Sequence, residues 1–210
     1  MPRGVQSDAI RTAEILFDGE RRGVVIRLCS GSETRAKLLK IYGIEFVRSP
    51  VEYDEEGLTC GSAREFVYHA SKGKLAAAEA AYGLELPLLV ADTVIVGPGG
   101  ELLRKAKDRA DAERILRRQS GREIAIVTCA HLKSEARYFL DLSATRYRFA
   151  PFDEEALQRY LDSGAWQGKA GACMVEGFCK PYIREVRGLE STAMGLQVEI
   201  LRPWMEDGNG

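Results

Sequence analysis

The stretch Leu88–Val96, LLVADTVIV, is the most informative segment for the fold. It is a continuous apolar run that Asp92 interrupts near its centre. Such runs are typical of strands that are buried on both faces of a sheet. Asp is depleted in strands, and an unpaired buried carboxylate costs several kcal/mol. We therefore expect a positively charged side chain beside Asp92.

The sequence after this strand offers one such cation. The turn Gly97–Gly100 is followed by Glu101-Leu102-Leu103-Arg104-Lys105. If this four-residue turn closes a simple hairpin, Val96 faces Glu101 and Lys105 lies directly opposite Asp92, on the same face. A carboxylate and an ammonium near a strand end can form a metal and phosphate site. A purely structural ion pair is the alternative, and it stays open at this point.

On both sides of this strand, strand-like and helix-like segments alternate along the chain. This alternation predicts an α/β fold with a mixed twisted sheet and flanking helices. We interpret residues 1–23 as a loosely attached N-terminal extension and residues 24–210 as a single domain. Strands are predicted at residues 24–29, 44–47, 124–132, 136–147 and 182–186, helices at 33–42, 63–82, 109–119 and 151–161, and a short element at 196–201.

Composition excludes several classes of protein. The 210 residues are 45% hydrophobic and 29% charged with a net charge of −1, which is typical of a soluble globular protein. No global basic field suggests duplex nucleic acid as a partner, and no stretch of about 18 apolar residues predicts a membrane span. The five cysteines form no CxxC pair and match neither a zinc ribbon nor a disulfide framework. We expect Cys29 and Cys129 to be reduced core residues in a cytoplasmic protein.

Two further features indicate where positive charge collects. Lys74 lies in the middle of an apolar stripe on the helix 63–82, formed by Ala63, Val67, Ala70, Ala77, Ala78 and Ala81. Its head group either snorkels to the helix edge or reaches a cleft that holds an acid or an anion. The turn Ser30-Gly31-Ser32 precedes a helix whose first turn carries Arg35, which suits an anion at the helix N-terminus, although Glu33 would repel phosphate. A simple N-cap is the alternative.

Together these segments resemble the Maf family. The resemblance rests on the run 29–39 (CSGSETRAKLL), Asp54-Glu55, Lys74, Ala91-Asp92-Thr93, Lys105, and Gly168-Lys169-Ala170-Gly171 with Glu176-Gly177, in the family's order and spacing over about residues 24–201. Maf proteins were named for inhibition of septum formation and hydrolyse nucleoside triphosphates to the monophosphate and pyrophosphate. The resemblance implies an elongated two-lobed molecule, like the inosine triphosphatase fold, with a central cleft. It also implies a homodimer and a divalent metal cation, Mg²⁺ or Mn²⁺.

The resemblance also implies roles for individual residues. Asp92 matches the catalytic aspartate that accepts the proton of the attacking water. Asp92 and Glu55 supply hard oxygen ligands that suit the metal. Four residues match phosphate-binding positions: Ser30, Arg35, Lys74 and Lys105.

Departures from the family pattern bear on activity and on base choice. Glu33 and Thr34 replace a proline and an arginine that many members carry, so a catalytically weak nucleotide-binding regulator of septum formation is a second hypothesis. Base specificity is expected from Thr34, Thr93 and Glu176. Glutamate is acceptor-only, which favours guanine and a 7-methyl-GTP substrate, whereas Thr93 resembles the subgroup acting on dTTP and UTP. A third reading is an α/β domain whose buried charges merely pair.

Overall fold

The computed structural model describes residues 24–55 and 57–206, so the predicted extension 1–23 lies outside the described residues. Within that part of the chain a seven-stranded mixed sheet forms the centre, and the order β2-β1-β3-β5-β6-β7 runs across it, with β4 paired to β3. Strands β1, β2 and β3 are mutually parallel, and the later pairs are antiparallel. The strands are β1 (Ile26–Leu28), β2 (Phe46–Arg48), β3 (Leu88–Val96), β4 (Leu102–Leu103), β5 (Glu123–Lys133), β6 (Tyr138–Phe149) and β7 (Ile183–Arg187).

Helices pack on both faces of the sheet, as the α/β prediction required. They are α1 (Glu33–Ile41), α2 (Ala63–Tyr82), α3 (Arg109–Gln119), α4 (Glu154–Asp162), α5 (Glu190–Ala193) and α6 (Val198–Glu206). The first four match the predicted helices within a few residues, since side-chain oxygens of Ser32, Ser62, Asp108 and Asp153 accept the capping bonds at their N-termini. The sequence predicted only a short element at 196–201, and it gave no sign of α5.

The strand β3 divides the core, because its successive side chains point to opposite faces. Val90 and Val94 pack with α2, whereas Leu89 and Ala91 pack with α1 and α6. The predicted stripe on α2 is only partly buried: Val67, Ala70 and Ala78 are buried, but Ala81 is exposed. By the same alternation Asp92 faces α2, and Thr93 faces the side that carries α1.

A gap in the sheet lies along one edge of β3. Strand β5 pairs with β3 from Leu88 to Val96 and fills the other edge completely. On the open edge, β1 pairs only with Leu88 and Leu89, and β4 only with Ile95 and Val96. Residues 90–94 therefore have no strand partner there within the described part of the chain. Asp92 and Thr93 lie in this gap, at the edge of β3 that has no neighbouring strand.

The predicted pairing of Lys105 with Asp92 is wrong. Val96 pairs with Leu102 and not with Glu101, because the loop contains one more residue than a simple hairpin needs. The backbone N–H of Gly97 donates to the carbonyl of Glu101 at 2.8 Å and so closes that longer loop. Strand β4 then ends after two residues, and Lys105 forms a β-bridge with Ala170 instead.

The cysteine prediction is only partly correct. Cys29 and Cys129 are free and buried, as expected. Cys173 and Cys179, however, form a disulfide across Cα atoms 6.7 Å apart. Spacing alone could not reveal this pair, because it depends on a local turn that begins with Ala172 at φ 57°. No helix in residues 24–55 and 57–206 is long and apolar enough to cross a membrane.

Candidate active site

The cation beside Asp92 is Lys74. The Nζ atom of Lys74 lies 2.6 Å from Oδ1 of Asp92 and also pairs with the carboxylate of Glu55. The side chain of Asp92 is 7% exposed and that of Lys74 is 18% exposed, so the pair is largely shielded from water. Of the two alternatives for Lys74, the structure shows the second: its head group reaches acids at the open edge of β3.

A close helix–loop contact positions Glu55. A Cβ atom on Gly73 would lie 2.1 Å from the ring of Tyr53, so the ring rests directly on the backbone of α2 where only glycine leaves room. The same loop is held further along α2, where the hydroxyl of Tyr82 donates to the carbonyl of Pro50 at 3.0 Å. These contacts place Glu55 beside Lys74. The lone glycine inside a helical pattern was the signal that could have predicted such a contact.

The electrostatic environment of Asp92 disfavours its charged form. Burial raises the pKa of Asp92 above its usual 3.8, and the nearby carboxylate of Glu55 raises it further. Lys74 and Arg35 oppose this effect without cancelling it. A carboxylate whose pKa is raised is a stronger base than an ordinary one, which suits a role in accepting a proton.

The donor set at Asp92 fits a divalent cation. The Oδ2 atom of Asp92 is buried and has no hydrogen-bond partner among the described residues. Orphaned buried oxygens are uncommon and call for an explanation such as an ion or water. Glu55 supplies a second carboxylate nearby, and no cluster of three or more His, Cys, Asp or Glu side chains suited to a metal occurs in residues 24–55 and 57–206. Two carboxylates, with substrate phosphates completing the shell, are the usual ligands of Mg²⁺.

A second group of residues surrounds Arg35 on the other side of β3. The guanidinium donates to the carbonyl of Gly195 at 2.7 Å, to Oγ of Ser30 at 3.0 Å and to Oγ1 of Thr93 at 3.1 Å. Thr93 also shares a 2.9 Å hydrogen bond with Thr128. Gly195, at φ 98°, is required here, because a Cβ atom would approach both Arg35 and Thr93 to 3.3 Å.

The two groups act on one another across the edge of β3. Burial lowers the pKa of Arg35, while the carboxylates of Asp92 and Glu55 raise it in part. Arg35 in turn stabilises the charged form of Asp92. Residues predicted from distant parts of the chain, Ser30, Arg35, Glu55, Lys74, Asp92 and Thr93, therefore gather around the gap in the sheet.

Arg48 was missed by the sequence analysis. It is the last residue of β2, which follows β1 and α1 along the chain. Its Nε donates to the carbonyl of Ser30 at 3.1 Å. The same guanidinium donates to the carbonyl of Gly31 and pairs with Glu33. Hydrogen bonding to Arg48 lowers the pKa of Glu33. The negative charge that should repel phosphate is thus matched by an arginine that also fixes the Ser30–Ser32 turn.

Three predicted residues lie apart from these groups. Lys105 and Glu176 are exposed, and Thr34 is partly exposed in the first turn of α1. Glu176 is close enough to contribute, after burial and Glu190, to raising the pKa of Tyr147. A structural ion pair alone would explain the contact of Asp92 with Lys74, but not the orphaned Oδ2 atom or the open edge.

Comparisons with known proteins show which proteins this chain is similar to. A relative from a Nitratiruptor species, named nucleoside triphosphate pyrophosphatase, is 57% identical over 185 residues, 87% of this chain and 100% of that protein. A protein of the same name from Helicobacter pylori (strain Shi470) is 45% identical over 172 residues, 82% of this chain and 90% of its own length. A dTTP/UTP pyrophosphatase from Hahella chejuensis is 34% identical over 185 residues, 86% of this chain and 90% of its own length.

Among solved structures, a nucleoside-triphosphatase (dITP/XTP pyrophosphatase) from Mycobacterium abscessus is 16% identical to this chain, with a TM-score of 0.39. The match covers 60% of this chain and 74% of that chain. This likeness is too low to support an argument. The family described as Maf-like protein matches residues 25–207. The chain therefore belongs to the Maf-like protein family.

Proposed function

We propose that the protein is a nucleoside triphosphate pyrophosphatase, a hydrolase that converts a nucleoside triphosphate and water to the monophosphate and pyrophosphate. One observation carries the proposal: a buried carboxylate with a raised pKa and an unsatisfied oxygen, Asp92, lies between two cations, Lys74 and Arg35. The group is located at an open strand edge. The names of the relatives support the same activity.

Phosphoanhydride hydrolysis requires little covalent catalysis by the protein. It depends mainly on positioning the reacting groups and on stabilising the negative charge of the phosphates. In the proposed reaction, Asp92 accepts a proton from the attacking water. Lys74 moves from the two carboxylates to phosphate oxygens, and Arg35 with Ser30 binds the tail at the N-terminus of α1. The exposed amine of Lys105 lies apart from this group and would have to move toward the gap to bind the departing pyrophosphate.

A divalent cation, held by Asp92 and Glu55, would neutralise charge on the triphosphate and lower the pKa of a bound water. The protein residues have separate tasks in this scheme. Glu55 holds Lys74 in place before substrate binds, and Arg48 keeps the carbonyls of Ser30 and Gly31 turned toward itself. The free N–H groups at the start of α1 are then left for phosphate.

For the base, we propose a guanine-type nucleotide such as 7-methyl-GTP, with Glu176 as the acceptor for the donors on the guanine edge. Thr93 contributes less to base selectivity than its sequence pattern suggested, because its hydroxyl is already hydrogen-bonded to Arg35 and Thr128. A pyrimidine triphosphate is the second candidate, favoured by the name of the Hahella relative. Thr34, partly exposed at the start of α1, is a further candidate base contact.

A panel assay tests the function. The protein is incubated with Mg²⁺ and each of GTP, 7-methyl-GTP, dTTP, UTP and ATP, and monophosphate and pyrophosphate are counted. We expect both products in equal amounts from at least one triphosphate, and a shift toward dTTP and UTP in Glu176→Gln. Binding without release would favour the regulator of septum formation. The homodimer and the cytoplasmic location stay predictions, and sedimentation analysis checks the first.

A further inference from the structure

The disulfide between Cys173 and Cys179 closes the loop that carries Glu176. Both cysteines are buried, with Cys173 5% and Cys179 0% exposed, whereas Glu176 between them is exposed. Within this loop the N–H of Gly177 donates to the carbonyl of Met174 at 3.0 Å, which forms a tight turn around Glu176. The proposed base contact is therefore located at the tip of a small covalent ring.

The ends of the ring are anchored to the core. The hydroxyl of Tyr160 donates to the carbonyl of Ala172 at 3.0 Å, directly before Cys173. Phe178, directly before Cys179, stacks on the ring of Tyr160 with centroids 4.4 Å apart. Tyr160 thus holds both ends of the loop, and the disulfide joins them covalently. At the tip, Val175 packs in the core, whereas the carboxylate of Glu176 has no hydrogen bond or ion pair among the described residues, so the backbone of the ring sets its position.

We propose that the Cys173–Cys179 disulfide is a specificity-determining element: it fixes the backbone that presents Glu176 for base recognition, and its reduction relaxes the choice of nucleotide. This inference rests on the proposed function. A side chain can discriminate between bases only if its acceptor is held in one place, because a mobile carboxylate forms a hydrogen bond at an entropic cost. Opening the ring returns that freedom to the tip.

The exchange needs a dithiol reductant and is balanced. A thiolate of the dithiol attacks the sulfur of Cys173, the more exposed of the pair, and Cys179 leaves as a thiolate that takes up a proton. The second thiol of the reductant then displaces Cys173, which is also protonated. The protein gains two thiols and two electrons, and the dithiol becomes a disulfide.

The reacting groups are separate from this ring. Asp92 lies on β3, Lys74 on α2 and Arg35 on α1, and among the described residues no hydrogen bond or ion pair joins any of them to the loop. Reduction should therefore change selectivity between bases more than hydrolysis itself. Competing thiols are few among the described residues: burial raises the pKa of Cys29 and of Cys129 to about 11, which makes both poor nucleophiles, and Cys60 is the partly exposed one.

The experiment compares kcat/KM for a guanine triphosphate and for dTTP in oxidised protein, in protein reduced with dithiothreitol, and in Cys173→Ser and Cys179→Ser. Alkylation and mass spectrometry count the thiols in each sample, and Cys60→Ser is the matched control. We expect the ratio of the two kcat/KM values to fall roughly tenfold, as for loss of one hydrogen bond to a charged group, in the reduced protein and in both variants. Cys60→Ser should keep the oxidised ratio.

Two outcomes overturn the inference. If wild-type protein releases pyrophosphate with the same base ratio before and after verified reduction, the disulfide does not determine specificity, while the proposed function stands. If no form of the protein releases pyrophosphate from any triphosphate, the proposed function fails and this inference fails with it. The reduced wild-type sample keeps the test decisive even if the serine variants do not fold.

Discussion

Replacing Asp92 with asparagine should abolish turnover and at the same time stabilise the protein. The variant keeps the shape of the side chain and the pair between Lys74 and Glu55. It removes a buried negative charge that is repelled by Glu55 and disfavoured by burial. Loss of a general base lowers kcat by about 10²–10⁴-fold.

The gain in stability follows from the sign of the pKa shift. The folded-state pKa of Asp92 lies above its usual 3.8, so the folded protein holds this proton more tightly than the unfolded chain. The stabilising contribution is present below 3.8 and is lost as pH rises through the folded-state pKa. The ionised carboxylate is therefore less favourable for the fold than the protonated one. Replacing a buried ion pair is neutral or stabilising by ~1–4 kcal/mol.

Removing one partner of a buried pair costs ~3–5 kcal/mol when the other charge is left unpaired, but Lys74 keeps Glu55 as its counter-ion here, so we take the low end of the stabilising range, about 1 kcal/mol. For a domain of this size, ~1 kcal/mol corresponds to a rise in Tm of about 2–4 °C. Thermal melts without metal at pH 4 and pH 7.5 measure the difference, which should be larger at pH 7.5. Asp153→Asn is the matched control, since Asp153 caps α4 and Asn caps a helix equally well. A variant that melts several degrees lower than the wild type, or that keeps the wild-type kcat, would contradict this prediction.

Four further predictions concern the same site. Gly73→Ala should displace the ring of Tyr53 and lower kcat by about 10–100-fold. Tm should fall little, because alanine favours the helix. Gly57→Ala is the control, since no atom lies near the position of its Cβ. Arg48→Met should raise KM for the triphosphate about tenfold with little change in kcat, and Glu33→Gln in the same chain should restore part of the loss. The acid limb of the kcat profile should lie above pH 3.8, and a limb at or below that value would contradict the environment of Asp92. Burial lowers the pKa of His131 to about 4, so stability should fall as pH drops from 6.5 through 4, and melts of His131→Gln should show a smaller fall.

The need for a cation beside Asp92 could be predicted from one strand, since a buried carboxylate requires a partner. The identity of that cation could not be settled in the same way. One additional residue in the loop after β3 shifts the pairing of β4 and sends Lys105 away. Lys74 was identified from the helical period of α2, which is a strong and local signal.

Contacts between distant segments could not be predicted from the sequence. The bond of Arg48 to the carbonyl of Ser30 depends on how β2 lies beside β1, and the position of Glu55 depends on a ring resting on Gly73. Neither leaves a periodic pattern in a single chain. The disulfide was missed for the same reason, because the turn between Cys173 and Cys179 is a matter of backbone conformation.

The central claim is that Asp92, Lys74 and Arg35 surround a triphosphate tail in the gap along β3. A crystal structure with Mg²⁺ and a triphosphate whose α–β bridge is a methylene group tests it most directly. We expect the metal on Oδ2 of Asp92 and phosphate oxygens within hydrogen-bond distance of Lys74 and Arg35. A nucleotide bound elsewhere, with the Asp92–Lys74 pair unchanged and the gap empty, would contradict it.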